Sequence, residues 1–305
     1  MFLRNIIPIF ATVKTKNKME NLIRTNLDYN NVLNVMVDKT VDYVKKNRLK
    51  SVVLGISGGI DSTVVAYILN CASHVLRNTY DSEFKFVGIS MPTETTDSHE
   101  FMISELVGRA FCDEFKVLDI TNEVHNFTIP NVNNDNNPSG HTNRYRIGNV
   151  KSRMRMIHLY DFAKAYNGIV VGTDNYTEYL LGYSTIGGDA LFDYNPIQYL
   201  WKTEVYGLAD YMRDTEIDKN RWDKVHALDE SIKIPPQAGL GISSTDMNEL
   251  HCKSYFQVDR ILYRYLNNMQ MDETDADYID LVVNRMKRNE YKRNIPILIK
   301  REEYV

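Results

Sequence analysis

Residues 57–62 read Ser-Gly-Gly-Ile-Asp-Ser. Adjacent glycines let a backbone approach a ligand closely. The serines offer hydroxyl donors, and a helix start offers free N–H groups at the positive end of its dipole. Together these features make an anion site suited to phosphate. The loop lacks the lysine of GxxxxGK[ST], and its spacing is not GxGxxG. Asp61 is the unusual member. A carboxylate beside a polyphosphate is repelled unless a cation bridges them, and Mg²⁺ commonly binds one or two carboxylates together with phosphate oxygens. A second reading stays open on these residues alone: Asp61 or Ser57 caps a helix, and the glycines simply turn the chain.

The loop needs a strand before it and a helix after it. SVVLGI (51–56) is an apolar run suited to a buried strand, and a helix is expected over 61–76. FKFVGIS (84–90), FKVLDI (115–120) and GIVVGT (168–173) are three further strand candidates. Between them, helices are expected over 97–111, where Asp97 and Glu100 have capping-box spacing, and over 149–166. An amphipathic helix is expected over 30–47, ahead of the first strand. Short apolar strands alternating with helices predict a doubly wound α/β fold with a mainly parallel sheet and helices on both faces. After Thr173 the pattern becomes helical to the C-terminus. Ligands of such sheets bind at the carboxyl ends of the strands. The opening loop lies there, and so does GTDNYTE (172–178). The Asn-rich stretch 130–143 predicts a long loop.

Composition narrows the classes. The chain has 305 residues, 43% apolar and 25% charged, with a net charge of −4. There is no broad basic footprint for nucleic acid. Three scattered cysteines suggest neither a disulfide framework nor a zinc site, and the expected compartment is cytoplasmic. The apolar runs are too short to span a bilayer. Residues 1–28 are expected to form an arm, or to precede a start at Met19, with a single domain over 29–305.

SGGIDS resembles the fingerprint of N-type ATP pyrophosphatases, which split ATP to AMP and pyrophosphate on an adenine nucleotide alpha hydrolase-like fold. GNVKSRMRMIHLY (148–160), VVGTDNYTEYLLGYSTIGGDALFDYNPI (170–197), LWKTEVYGLA (200–209) and EYKRNIP (290–296) are similar, in order and spacing, to the NAD synthetase family. The resemblance implies that Gly55, Ile56, Ser57, Gly58, Gly59, Ile60, Asp61 and Ser62 cradle the ATP phosphates. It implies that Thr173 and Lys202 contact ATP and that Asp61 and Glu178 hold Mg²⁺. Arg153 and Asp193 match contacts to deamido-NAD, while Asp189 and Glu249 resemble carboxylates near the incoming ammonia.

The chain departs from the family at Ile186, where lysine is common, at Tyr291 beside Lys292, where His-Lys is common, and at Gln237, where Thr or Ser is common. Gln237 is carried over as an ATP position, and Tyr291 with Lys292 as deamido-NAD positions. The implied reaction joins ammonia to the nicotinate carboxylate of deamido-NAD after its adenylation by ATP, with Mg²⁺ present. The length ahead of the loop implies free ammonia, or ammonia handed over by another protein, rather than a glutaminase domain there. The family also implies a homodimer. Two rivals remain: another ATP pyrophosphatase, such as a tRNA-modifying or amidating enzyme, and a non-catalytic nucleotide sensor.

Overall fold

The computed structural model describes residues 27–127, 141–236, 245–296, 299 and 301. Strands β1 (Ser51–Gly55), β2 (Lys85–Ser90), β3 (Glu114–Val117) and β4 (Gly168–Val171) form one sheet in the order β3-β2-β1-β4. Every pairing is parallel, with Ser51 in register with Lys85 on one side and Gly168 on the other. The order therefore reverses at β1, and the loops leaving β1 and β4 part there.

Neighbouring strand residues point to opposite faces, and both faces are apolar because both are covered. Val52, Leu54 and Phe86 pack against α1 (Tyr29–Asn47), α2 (Ile60–Thr79), α3 (Ser98–Phe111), α7 (Lys202–Asp218) and α8 (Trp222–Lys233). Val53, Val87, Ile89 and Val170 pack against α4 (Thr121–Phe127) and α5 (His141–Ala165). A separate apolar cluster joins α6 (Tyr176–Leu181), α9 (Asp246–Leu250), α10 (Tyr255–Leu266) and α11 (Ala276–Arg288) through Leu180, Val258, Ile261 and Val283. This is the doubly wound fold with a helical C-terminal part.

The element ends have local causes. Asp28 caps α1, and Asp97 caps α3 by accepting from the His99 and Glu100 amides. Asn175 caps α6, with Glu178 closing the box, and Gly182 ends that helix at φ 58°. The third strand stops at Val117, earlier than its apolar run suggests. Leu118 and Ile120 still donate to Ser90 and Pro92, but Asp119 accepts from the Thr121 amide and turns the chain into α4. That helix had no clear periodic signal. Helix α5 starts earlier than its sequence pattern, taking in the end of the Asn-rich stretch. The rest of that stretch and the N-terminal arm lie outside the described residues.

The β1–α2 loop is stiffened by its own serines. Ser57 Oγ accepts from the Gly59 amide at 3.2 Å and lies 3.0 Å from Ser62 Oγ, which donates to Gly59 O at 2.9 Å. Gly58 has φ +86°, and a Cβ there would lie 2.7 Å from Glu100 O and 2.9 Å from Ser104 N on the backbone of α3. Both the dihedral and the close approach require glycine. Gly58→Ala is expected to cost roughly 1–3 kcal/mol of stability, measured as a lower midpoint in urea denaturation. An unchanged midpoint would mean that α3 yields without cost.

Candidate active site

The diverging loops of β1 and β4 open a cleft of about 390 Å³. Gly55, Ile56, Ser57, Gly59, Ile60, Asp61 and Ser62 line one wall. Thr173 and Glu178 enter from the end of β4 and the start of α6, and Lys202 comes from the start of α7. Asp189, Glu249 and Lys292 line the remainder. Residues scattered over the sequence from 55 to 292 thus meet at the sheet's switch point, where open α/β sheets bind ligands.

The cap reading of the loop does not survive. The residue flanking α2 is Gly59, which makes no side-chain cap bond. Ser57 bonds within the loop, and both Asp61 oxygens point elsewhere, to Asn175 and Lys202. The first-turn amides of α2 are left facing the cleft without a side-chain cap.

Lys202 is the centre of the charge arrangement. The residue is 2% exposed, and its ammonium touches Asp61, lies 3.0 Å from Glu178 Oε1, and sits over the Tyr255 ring at 5.2 Å. Burial alone would lower its pKa, but Asp61, Glu178 and Asp246 outweigh that and hold it well above the usual lysine range. Burial pushes the Glu178 carboxyl up to about 8, against the pull of Lys202. Burial also raises Asp174 well above the usual range, reinforced by Asp189, Glu178 and Asp61. The wall is short of positive charge.

Among the described residues, no group of three His, Cys, Asp or Glu side chains could hold a metal ion alone. Two carboxylates with a charge deficit fit Mg²⁺ that completes its shell with phosphate oxygens and water. The residues fit that ion only in company with ATP.

The other end of the cleft carries fixed carboxylates. Asp189 Oδ1 accepts from Ser152 Oγ at 2.5 Å and from the Thr185 amide at 2.9 Å. Glu249 accepts from Arg285 at 3.0 Å and from Tyr183 at 2.9 Å. Asp246 accepts from Tyr183 and Tyr255. Tyr183 has one hydroxyl proton and reaches two carboxylates.

Several expected positions fall elsewhere. Arg153 is exposed and donates from Nε to Ile186 O at 3.2 Å. Asp193 accepts from the Val170 amide at 2.9 Å and from Tyr160. Tyr291 is half exposed and away from the cleft lining, whereas Lys292 does line the cleft and donates to Gly182 O and Ser184 O. Gly58 lies behind the loop against α3. Gln237 lies outside the described residues. Sequence reasoning missed Asn175, Asp174, Asp246, Tyr183, Tyr255 and Arg285. Asn175 alone had a local signal, the N-x-x-E spacing of a capping box at NYTE.

With this geometry in hand, comparison with known proteins is direct. Residues 32–296 match the family described as NAD synthase. An NH(3)-dependent NAD(+) synthetase from Fusobacterium nucleatum is 32% identical over 283 residues, covering 91% of this chain and 98% of that protein. One from Methanocaldococcus jannaschii is 32% identical, covering 83% and 90%. The NH3-dependent NAD synthetase structure from Campylobacter jejuni superposes with a TM-score of 0.66 at 27% identity, covering 90% of this chain and all (100%) of that one. An NMN synthetase structure from Francisella tularensis shares the fold, with a TM-score of 0.70 at 22% identity and coverage of 90% and 100%. The α/β sheet, the Ser-Gly-Gly loop and a match running almost end to end place the chain in the NAD synthase family.

Proposed function

We propose that the chain is an ammonia-dependent, AMP-forming ligase that amidates deamido-NAD to NAD. The observation that carries this reading is the Asp61–Lys202–Glu178 cluster beside the Ser-Gly-Gly loop, in one cleft with Asp189 and Glu249. The relatives that match along the chain bear the same activity in their names.

The residues divide the work. The uncapped first-turn amides of α2, with Ser57 and Ser62, receive the phosphates of ATP. The nicotinate carboxylate attacks the α-phosphorus, the bond from that phosphorus to the bridging oxygen breaks, and pyrophosphate leaves into the loop. Lys202, held by Asp61 and Glu178, meets the charge that grows on the α-phosphate oxygens. Mg²⁺, held by Asp61 and Glu178 with phosphate oxygens, would screen the repulsion between carboxylate and triphosphate. Ammonia then attacks the acyl carbon of the adenylate, and AMP departs with the bonding electrons. Asp189 is placed to take a proton from ammonium, because Ser152 and Thr185 hold Oδ1 and leave Oδ2 for the cleft. Thr173 lies at the nucleotide end, and Arg153, Asp193, Tyr291 and Lys292 are the proposed deamido-NAD side.

The three cysteines are unpaired, which suits the cytoplasm we propose. Among the described residues, no helix is long and apolar enough to cross a membrane. We further propose a homodimer through the outer side of α5, where Ile157 is 52% exposed. A two-fold contact would use the same patch on both copies.

The direct test is incubation with ATP, Mg²⁺, deamido-NAD and ammonium, with NAD and AMP measured. AMP release without NAD would mean that ATP or the adenylate is hydrolysed and that deamido-NAD is not the amidated acceptor, and absence of both products would favour a nucleotide sensor. Asp61→Asn should keep the fold and lower kcat by on the order of a hundredfold; near-native activity would remove the metal and lysine roles of that carboxylate. Ile186→Lys adds a charge-assisted phosphate contact and should lower KM for deamido-NAD roughly tenfold with kcat little changed. An unchanged KM would mean that Arg153, whose Nε already reaches the Ile186 carbonyl, supplies that charge. Light scattering should give twice the 35.4 kDa chain mass at micromolar protein, and a monomer with ligand present would remove the dimer.

A further inference from the structure

At the start of α7 Glu204 reaches back to accept from the Trp201 amide at 2.9 Å, but the N-cap side chain serves none of the amides that follow. The residue ahead of the helix is Trp201, whose side chain has no oxygen to offer, yet Lys202 and Thr203 are 2% and 1% exposed. Buried first-turn amides need acceptors. They find them on other elements. The Lys202 amide donates to Thr177 Oγ1 at 2.9 Å. The Thr203 amide and hydroxyl donate to Asp259 Oδ2 at 3.0 and 2.8 Å. Thr177 passes its own proton to Asp259 Oδ1 at 2.5 Å.

The directions matter. Because Asp259 accepts the Thr177 proton, the lone pairs of that hydroxyl are left for the Lys202 amide. Thr177 precedes Glu178, and Thr203 follows Lys202. One carboxylate on α10 therefore ties together the starts of α6 and α7, the helices that deliver Glu178 and Lys202 to the cleft. Asp259 is fully buried at 0% exposure, and its three bonds all come from these two threonines. A buried carboxylate is costly unless its bonds are well made, and an apolar residue at this buried position would carry no such cost.

We propose that Asp259 is a positioning residue: through Thr177 and Thr203 it sets the spacing of Glu178 and Lys202, and so the strength with which the cleft holds Mg²⁺·ATP. This rests on the reading of the cleft as an ATP site and adds to it a dependence on the C-terminal helices.

The test uses Thr177→Val, which keeps the shape and removes the hydroxyl, Thr177→Ser, which keeps the hydroxyl, and Asp259→Asn. Binding of Mg²⁺·ATP and of AMP is measured by calorimetry on folded protein, with melting followed in parallel. Outer partners of a metal site typically change its affinity 10–100-fold. Thr177→Val and Asp259→Asn should weaken Mg²⁺·ATP by about tenfold while AMP, which lacks the β- and γ-phosphates, binds as in the native chain. Thr177→Ser should restore native Mg²⁺·ATP affinity. If Thr177→Val changes only the melting temperature, or weakens AMP and Mg²⁺·ATP alike, or if Thr177→Ser behaves like Thr177→Val, the positioning role is wrong. Native protein that binds Mg²⁺·ATP but does not amidate deamido-NAD would overturn the proposed substrate and leave this inference standing. Native protein that does not bind Mg²⁺·ATP would remove both.

Discussion

One buried ammonium organises the catalytic wall. Lys202 lies between carboxylates from two different helix starts, Asp61 on α2 after β1 and Glu178 on α6 after β4. Without a cation between them, two carboxylates in a desolvated wall repel each other, and the helix starts would have reason to part. The lysine holds them together before any nucleotide arrives. The same attraction leaves the group short of one positive charge when a triphosphate enters, and that is the condition under which a divalent ion is drawn in. Structural and chemical demands therefore fall on the same three side chains.

The cluster needs support that the sheet cannot give. Parallel strands place the loops of β1 and β4 side by side, but helices α6 and α7 decide where Glu178 and Lys202 point. Those helices rest on α10 and α11, and the Leu180–Val258–Ile261–Val283 cluster is the apolar basis of that contact. The C-terminal helices also contribute Asp246 and Glu249 with Arg285, whose guanidinium lies over the Tyr183 ring at 4.9 Å. The molecule is thus a sheet that offers an anion loop and a helical layer that completes the cleft around it.

Much of this was legible in the chain. Apolar runs bounded by turns marked all four strands, most plainly β1 and β2, where burial on both faces leaves little freedom in residue type. The Ser-Gly-Gly loop was legible because its demands are local: a positive φ at Gly58 and hydroxyls near a helix start. Asp61 was marked by its place in the anion loop, and Glu178, Lys202, Asp189 and Glu249 only by family resemblance; the structure brings all five to one cleft. Asp259, Asp246 and Tyr183 were not legible at all. Their partners lie far away in sequence, and a buried Asp on an amphipathic helix looks like any polar residue until the neighbouring helix is in place. Arg153 and Asp193 were marked, but neither lines the cleft in this structure. The early stop of β3 was hidden because Leu118 and Ile120 are as apolar as strand residues, while the turn is made by Asp119 between them.

The bond between Asp193 and the Val170 amide has a consequence for how copies of this chain can meet. Strand β4 is an outer strand, and an outer strand with free backbone groups is a template for another chain. Here the template is occupied. The Asp193 carboxylate takes the Val170 N–H, Gly172 donates to Tyr194 O at 2.8 Å, and Val171 bridges Tyr194. At the opposite edge, β3 carries Glu114 and Lys116, which pair with each other and would oppose a second strand with charge. One end of the sheet is thus closed to backbone pairing and the other is guarded by charge. Both features disfavour open-ended growth of the sheet from one molecule to the next.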